Sequence, residues 1–234
     1  MIISVIIPSY NEGPFLLRLF DSVNSLVLQA YKQFEVKIEL IFVNDGSNDQ
    51  TKDLLLHFKG KVVNQINTGK GSAVRNGASH ATGQYLIVLD ADLEYESSDI
   101  LKLIPIILDS SDLVAVYGSR YKRNSLLKLR LLPYTHQSFA NILFNYLLSL
   151  LYLIKYKTFI SDLLTGLKMY PTEVYKRIDS ITHGFETDHE LTIGLHNLGV
   201  KIIEVPINYA PRTRSQGKKI RFKDALKAIR VLVR

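Results

Sequence analysis

The sequence predicts an α/β protein with a Rossmann-like, mostly parallel central sheet that is flanked by helices. Short apolar runs alternate with longer helical segments in the first half of the 234-residue chain, which is typical of strand–helix–strand units. Hydrophobic residues make up 47% of the chain, enough to bury the core of one domain. Polar residues follow four of the predicted strands, and parallel sheets bind ligands at the carboxyl ends of their strands.

The predicted strands and helices of the first half alternate along the chain. Each strand is a short run rich in Val, Ile and Leu, and the runs lie at 2–8, 36–44, 62–66, 85–89 and 113–117. The helices between them are expected at 15–29, 49–58, 71–81 and 100–108, with Asp49 as the cap of the second one. The run at 85–89 reads as a fully buried strand, as expected for a sheet covered on both faces.

The second half has a basic loop, a long apolar helix expected at 135–154, the segment 162–171, and a helix–strand pair that ends in a basic tail. Polar and aromatic residues interrupt the apolar stretch of the long helix; they are Asn145, Tyr146, Ser149 and Tyr152. This stretch is therefore too short to span a membrane. No linker separates the two halves, so we predict a single domain over 1–234.

Asp90 and Asp92 are the most informative residues of the chain, because they directly follow the buried strand at 85–89. Two carboxylates that leave a sheet edge one residue apart repel each other unless a cation lies between them. A divalent ion with oxygen ligands fits such a pair, and such ions commonly bridge to substrate phosphates. The pair therefore predicts a metal and phosphate site; solvated acids at a strand end are the alternative.

A glycine-rich turn precedes the third predicted helix. Residues 67–77 read Asn-Thr-Gly-Lys-Gly-Ser-Ala-Val-Arg-Asn-Gly, which lacks the Walker spacing of a P-loop. Glycines allow close backbone approach at a helix start, where amide groups favour anions. We expect this turn to support an anion site beside the acid pair, and a plain glycine turn is the alternative.

Charge and composition narrow the class of partner. The net charge is +7, and basic residues concentrate at 120–130 and 212–234, which indicates phosphates or an anionic membrane surface. Nucleic acid is not expected, because no recognisable nucleic-acid-binding motif accompanies the charge. The absence of cysteine excludes disulfides and thiolate sites, and the N-terminus does not resemble a signal sequence. We expect a cytoplasmic protein, peripheral on the cytoplasmic face of the membrane.

Taken together, these motifs resemble those of the family 2 glycosyltransferases. The matching segments are Pro-Ser-Tyr-Asn-Glu at 8–12, Asn-Asp-Gly-Ser at 44–47, the glycine turn at 69–77, Asp-Ala-Asp at 90–92 and Gly-Ser-Arg at 118–120. Later segments are similar to the dolichol-phosphate mannose synthase branch; they lie at 184–191, 204–206, 209–212 and 217–220. The resemblance implies a GT-A fold, a nucleotide-diphospho-sugar donor such as GDP-mannose or UDP-glucose, and Mg²⁺ or Mn²⁺. It also implies a nucleotide-sugar-binding half at 1–119 and an acceptor-binding half at 120–234.

The resemblance assigns the donor side residue by residue. The implied donor-binding residues are Pro8, Tyr10, Asn11, Glu12, Val43, Asp45, Gly69, Lys70, Arg75, Ala91, Arg120, Arg212, Lys218 and Lys219. The implied metal ligands are Asp90, Asp92 and Glu94, the last at a position where the family often has Gln. Catalytic roles are implied for Asp90, Asp92, Asp188 and Arg212, and we expect 215–219 to close over the donor while its basic residues stabilise the departing diphosphate.

The acceptor side is implied by a segment of the type Asp-x-x-x-Gly-x-(Arg/Lys). The implied acceptor-binding residues are Arg120, Asp162, Gly166, Lys168 and Glu186. A polyprenyl or dolichyl phosphate is already ionised near neutral pH, whereas a hydroxyl of a saccharide or glycolipid needs a general base. Glu186, Asp188 and Glu190 are candidates for that base, and Asp188 is the first to test because its position matches the acidic motif of the family. Both acceptors stay open, and a catalytically inactive nucleotide-sugar binder is a third interpretation.

Two helices predict contact with a membrane surface. Polar residues recur at four-residue steps in the helix at 135–154, at Gln137, Asn141, Asn145 and Ser149, and form one narrow stripe on an otherwise apolar helix. The tail at 221–234 combines an apolar face with basic residues. Basic amphipathic helices of this kind lie in anionic membrane interfaces; packing on the domain or in an oligomer is the alternative.

Overall fold

A computed structural model describes residues 1–122, 136–178 and 187–212, and the side chains of all of these except 136–141. Within these residues, strands form one sheet in the order β3-β2-β1-β4-β6-β5-β7. The strands are β1 (Ile2–Ser9), β2 (Lys37–Asp45), β3 (Lys61–Gln65), β4 (Tyr85–Val88), β5 (Val114–Ser119), β6 (Lys168–Pro171) and β7 (Lys201–Pro206). β6 pairs antiparallel with β4 and β5, and the other neighbours are parallel. The predicted α/β class with a mostly parallel sheet is confirmed.

Helices cover both faces of the sheet. They are α1 (Gly13–Phe34), α2 (Thr51–Leu56), α3 (Lys70–Ser79), α4 (Ile100–Asp109), α5 (His136–Tyr156), α6 (Thr172–Lys176) and α7 (Thr187–Asn197). None of the helices in the described part is long and apolar enough to cross a membrane. The second predicted membrane-interface helix, at 221–234, lies outside the described residues.

One apolar core lies on each face of the sheet, and the side chains of β1 point alternately into the two cores. Ile3, Val5 and Ile7 join one core with residues of α1 and α4, while Ile6 joins the other with residues of α3, α5 and α7. Successive side chains of a strand point to opposite faces, so a strand buried on both faces is mostly apolar. This explains why the strands read as nearly continuous apolar runs, with the buried Ser4 of β1 hydrogen-bonded to Glu39.

Two features of the first helices differ from the prediction. α1 continues to Phe34, because Ala30 is fully buried and Phe34 packs against the core. Asp49 is not the residue that precedes α2, since the helix starts after Gln50 without a side-chain cap. Instead, the Asp49 carboxylate accepts hydrogen bonds from Thr51 N (2.9 Å) and Gly13 N (3.2 Å), which ties the starts of α1 and α2 together.

α5 buries one face of mixed polar and apolar side chains and exposes a second face that is apolar. Asn145 and Ser149 of the predicted polar stripe are fully buried against the domain, beside Leu148 and Tyr152, which belong to the apolar core. The opposite face is exposed and consists of Leu143, Tyr146, Leu147, Leu150 and Ile154. A helix that only packs on its own domain usually exposes a polar face. The described part of the stripe therefore lies on the packed face, and an apolar face is presented outwards.

Candidate active site

A cleft of about 290 Å³ opens at the carboxyl edge of the sheet, close to the lower end for small-molecule sites. It is lined by Pro8, Ser9, Tyr10, Glu12, Asp45, Asn67, Gly69, Lys70, Asp90, Ala91, Asp92, Glu94, Tyr95, Arg120, Leu164, Gly166, Asp188, Tyr209 and Arg212. The structure thus brings together polar clusters that the sequence places at separate strand ends.

The acid pair is shaped by the turn that follows β4. Leu89 N still donates to Ile6 O of β1 (3.0 Å), so the chain leaves the sheet only at Asp90. Leu93 adopts a left-handed conformation with φ 61°, and Glu94 N donates to Asp92 Oδ1 at 3.0 Å. A non-glycine residue with positive φ is costly and is found preferentially at functional sites.

Two basic side chains hold the acid cluster. Lys70 Nζ lies 2.7 Å from Asp90 Oδ1 and 4.0 Å from Asp188 Oδ2. Arg212 reaches Asp92 Oδ2 (2.5 Å), Glu12 Oε2 (3.2 Å) and, through Nε, Glu94 Oε1 (3.5 Å). Burial, followed by the Asp90 and Glu94 charges, raises the pKa of Asp92 to about 6. The ionised form of Asp92 is therefore disfavoured even with Arg212 in place.

Glu94 anchors the segment that carries Arg212. Its carboxylate accepts hydrogen bonds from Tyr209 Oη (2.5 Å) and Arg212 N (3.0 Å), and its backbone O accepts one from Ala210 N (2.9 Å). Both carboxylate oxygens of Glu94 thus have partners within the protein, and its role as a metal ligand stays a prediction. Within the described ranges, no three Asp, Glu, His or Cys side chains form a ready metal cluster.

Asp45 lines the cleft and fixes the glycine-rich turn. It is buried, and its carboxylate accepts hydrogen bonds from Gln65 Nε2 (2.7 Å), Thr68 N (2.9 Å) and Gly69 N (3.0 Å). Gly69 has φ 100°, which a residue with a side chain rarely adopts. These contacts place Lys70, the first residue of α3, in the cleft.

The loop after β1 also borders the cleft. Asn11 has φ 54°, a conformation that Asn tolerates better than most residues. Its backbone N donates to Ser47 Oγ (3.1 Å), and its Oδ1 accepts from Asn48 N (3.0 Å). The predicted residues Pro8 and Tyr10 line the cleft beside it.

Arg120 enters the cleft from the end of β5 and is held by Asp162. The fully buried Asp162 carboxylate accepts hydrogen bonds from Arg120 Nε (2.8 Å), Nη2 (2.7 Å) and backbone N (2.9 Å). The guanidinium also lies 5.2 Å from the Tyr121 ring centre and 4.9 Å from that of Tyr209. Burial lowers the Arg120 pKa, but the Asp162 charge, the hydrogen bonds to Asp162 and the neighbouring Tyr95 and Tyr121 together outweigh it, so the net pKa is raised.

Gly166 lines the cleft, whereas Lys168, two residues later in the same segment, is buried beneath it. A Cβ on Gly166 would lie 3.1 Å from Asp90 Oδ2 and 3.2 Å from Tyr95 Cε2, so glycine allows close approach to the acid pair. Lys168 is buried below the cleft, where its Nζ donates to Asp188 O (2.9 Å), Leu163 O (3.2 Å) and Thr192 Oγ1 (3.3 Å). This position does not support the prediction that Lys168 contacts the acceptor.

Some predicted residues lie elsewhere. The Val43 side chain is in the core and Arg75 is on α3 outside the cleft lining, and their donor-binding roles stay predictions. Glu186, Lys218 and Lys219 lie outside the described residues, as does the segment 215–219. Tyr95, Leu164 and Tyr209 line the cleft although the sequence does not single them out as site residues. Of these, Tyr209 belongs to the segment Tyr-Ala-Pro-Arg at 209–212, which is part of the resemblance.

Comparisons with known proteins agree on one family. The family model described as glycosyl transferase family 2 matches residues 4–178. The chain is 27% identical to dolichyl-phosphate beta-glucosyltransferase ALG5A of Trichomonas vaginalis, over 99% of this chain and 72% of that protein. It is 30% identical to the dolichol-phosphate mannosyltransferase of Pyrococcus furiosus, over 93% of this chain and 59% of that protein.

Solved structures share the fold. The glucosyl-3-phosphoglycerate synthase of Mycobacterium tuberculosis, in complex with Mg²⁺ and UDP, superposes with a TM-score of 0.70 at 19% identity, covering 99% of this chain and 78% of that one. The same enzyme in complex with Mn²⁺, UDP and glucosyl-3-phosphoglycerate gives a TM-score of 0.68.

Proposed function

Because the chain belongs to glycosyl transferase family 2 and is a glycosyltransferase, we propose that it moves a hexose from a nucleotide-diphospho-sugar to a polyprenyl or dolichyl phosphate. An oxygen of the acceptor phosphate attacks the anomeric carbon from the face opposite the diphosphate. The new carbon–oxygen bond forms as the bond to the diphosphate breaks, so the anomeric configuration inverts. The donor is of the GDP-mannose or UDP-glucose type.

The observation that carries this proposal is the acid pair facing Arg212 and Lys70 in one cleft. Such a site suits a diphosphate, because its negative charge needs several cations that are already in position. Within the described residues, Arg212 Nε makes no hydrogen bond and lies 3.5 Å from Glu94 Oε1, a loose contact that a phosphate oxygen could replace. The names of the dolichyl-phosphate relatives support the choice of acceptor.

The chemistry of the site fits a divalent cation. Asp90 and Asp92 offer oxygen ligands, and two carboxylates are enough where phosphates and water complete the coordination. The raised pKa of Asp92 means that its charged form gains from an added cation. When bound, Mg²⁺ or Mn²⁺ supplies positive charge that offsets the charge of the departing diphosphate.

The chain's own residues divide the remaining work. The nucleoside lies along Pro8 and Tyr10 beside Asp45, and Arg212 moves from the carboxylates onto the diphosphate. Lys70 holds Asp90 in place and, at the start of α3, adds charge next to the helix amides. In this proposal the donor side belongs to 1–119 and the acceptor side to 120–234, with Arg212 closing the donor side.

The acceptor phosphate binds near Arg120, the cation that enters the cleft from the acceptor half. An arginine matches the geometry of phosphate oxygens better than a lysine does. The second candidate acceptor is a hydroxyl of a saccharide or glycolipid, and one observation favours it: Asp188 lies in the cleft, where a general base is needed only for a hydroxyl.

We also propose that the protein lies on an anionic membrane surface through α5. Its exposed apolar face is followed by the exposed residues Lys155, Lys157 and Phe159. Apolar side chains enter the boundary of the acyl chains while lysines contact lipid headgroups. This placement brings the site to its lipid acceptor on the cytoplasmic face.

The test is transfer of a radiolabelled hexose from UDP-glucose or GDP-mannose to a polyprenyl phosphate in the presence of Mn²⁺. The expected product is extractable into butanol and labile to mild acid, as a sugar phosphodiester is. A product stable to mild acid, formed only with a saccharide or glycolipid acceptor, would favour the hydroxyl alternative. No product from any donor and acceptor would refute glycosyl transfer by this chain.

A further inference from the structure

The loop at 161–164 lies between the cleft and the strand β7. It carries Asp162, which has zero exposure and whose carboxylate makes three hydrogen bonds to Arg120. The direction of the Arg120 guanidinium therefore depends on where this loop holds Asp162. A buried charge pair of this kind is costly to form and is maintained only if its surroundings fix its geometry.

Glu204 of β7 holds the loop from one side. Its Oε2 accepts a hydrogen bond from Ser161 N (2.9 Å), and its Oε1 accepts hydrogen bonds from Ser161 Oγ (2.8 Å) and Asp162 N (3.0 Å). The carboxylate thus binds the backbone at two consecutive residues, one of which is Asp162 itself. Glu204 does not line the cleft, so it reaches the site only through the loop.

Asn145 of α5 holds the loop from the other side. Its Nδ2 donates to Ser161 O (2.7 Å), and its Oδ1 accepts from Leu164 N (3.2 Å). Asn145 is fully buried on the inner face of α5, opposite the exposed leucines. The loop is therefore clamped between a strand and a helix through side-chain hydrogen bonds to its backbone.

We infer that Glu204 is a positioning residue for the acceptor phosphate: by clamping the backbone at Ser161 and Asp162, it sets the orientation in which Asp162 presents Arg120 to the cleft. This inference rests on the proposed function, in which Arg120 receives that phosphate. It makes Glu204 matter for the acceptor and not for the donor, because its contacts end on the acceptor side.

The decisive variant is Glu204→Gln. Both carboxylate oxygens accept from N–H donors, so an amide must turn its own N–H donors towards Ser161 N or Asp162 N and lose at least one hydrogen bond. We expect the KM for a short-chain polyprenyl phosphate to rise about tenfold, while the Kd of the nucleoside diphosphate with Mn²⁺, measured by calorimetry, changes less than about twofold.

A matched control is Glu39→Gln. Glu39 of β2 likewise accepts hydrogen bonds from a serine hydroxyl and a backbone N–H, at Ser4 Oγ (2.5 Å) and Thr82 N (2.9 Å), but it lies outside the cleft lining. Its substitution should lower the melting temperature to a similar extent and leave the acceptor KM unchanged. If Glu204→Gln does not fold, Ser161→Ala removes one hydroxyl bond to Glu204 and should raise the acceptor KM about threefold.

A failure of the inference and a failure of the proposed function give different experimental results. A wild-type protein that transfers no sugar to a polyprenyl phosphate contradicts the proposed function. An active wild type whose Glu204→Gln or Ser161→Ala variant keeps the acceptor KM overturns the inference alone. Equal losses of donor and acceptor binding would also overturn it, since they indicate general loosening of the fold.

Discussion

Asp92 is subject to opposing forces within a few ångströms. Burial and the neighbouring Asp90 and Glu94 charges disfavour its ionised form, whereas Arg212 at 2.5 Å favours it. A carboxylate kept in such surroundings does not serve stability, because uncharged side chains of similar shape would avoid the repulsion. In the proposed function, this charge acts when a cation and a diphosphate are present.

Asp92→Asn should therefore separate activity from stability. We expect sugar transfer to fall at least about a thousandfold, because the amide is a poor metal ligand and carries no charge. The free energy of unfolding should change by less than about 1 kcal/mol, since lost repulsion offsets the lost ion pair with Arg212. Transfer assays and urea unfolding measure the two effects, with Asp21→Asn on the exposed side of α1 as control. Full activity of Asp92→Asn would contradict the assigned role.

Lys168 should give the protein a distinctive dependence on pH. Burial lowers its pKa from 10.5 to about 8 in the folded state. The charged form is thus disfavoured by folding, so its cost is fully present below pH 8 and is relieved as the pH rises from 8 to 10.5. Relative to Lys168→Met, the wild type should gain stability over this window, up to about 3 kcal/mol.

Urea unfolding of both proteins at intervals across this pH window measures the difference. Taking the difference cancels the titration of buried tyrosines, which both proteins share. A stability difference that is flat with pH, or that falls, would mean that Lys168 keeps an ordinary pKa.

At the scale of elements, α5 departs most from what its sequence suggests. A four-residue polar repeat defines a stripe, but hydropathy alone does not say whether the stripe faces water or a partner. Here the stripe faces the loop at 161–164, because the backbone groups of that loop need hydrogen-bonding partners and Asn145 supplies them. With Asn145 and Ser149 turned inwards beside Leu148, the residues Leu143, Leu147 and Leu150 face outwards.

Charged residues on the outer face of α5 should strongly weaken membrane binding. Leu147 and Leu150 are 46% and 52% exposed, so replacing both by Glu should cost little stability. Two leucines lost from the acyl boundary, with two negative charges added, should weaken sedimentation with anionic vesicles at least about tenfold. Leu28→Glu, at 72% exposure on α1, is the control. Equal vesicle binding by all three proteins would refute α5 as the contact.

The sequence predicts the strands and their order along the chain well, because apolar runs buried on both faces leave a clear pattern. It fails for β6, a four-residue strand that contains Lys168 and ends in Pro171. The buried lysine is tolerated only because three acceptors on two other elements surround its ammonium. This strand therefore depends on contacts between distant segments of the chain, and the local sequence has no pattern that predicts such contacts.

At the scale of the whole molecule, the sequence identifies site residues that follow strands more readily than residues that tertiary contacts bring to the site. Asp90, Asp92 and Arg212 line the same cleft. The anchoring roles of Glu94 and Glu204 follow from segments 209–212 and 161–164 folding back onto them. These contacts form only in the tertiary structure. The sequence alone therefore shows the two carboxylates but not their hydrogen-bonding partners.

Ligand binding should stabilise the entire fold, since the cleft joins both halves of the chain. At a hundredfold excess over Kd, a nucleoside diphosphate with Mn²⁺ should add about 2.7 kcal/mol, or about 5–10 °C in melting temperature. Thermal scans with UDP and GDP identify the base, and excess chelator should remove most of the shift. The absence of a shift with either nucleotide would contradict a nucleotide-sugar site.

The antiparallel strand β6 has a consequence for biosynthesis. β4 and β5 do not pair with each other; both pair with β6, which comes later in the chain than α5. While the nascent polypeptide leaves the ribosome, the edges of β4 and β5 must wait unpaired until residues 168–171 emerge. Unpaired strand edges are sites of aggregation, so a truncation before β6 should yield insoluble protein instead of a working nucleotide-binding half.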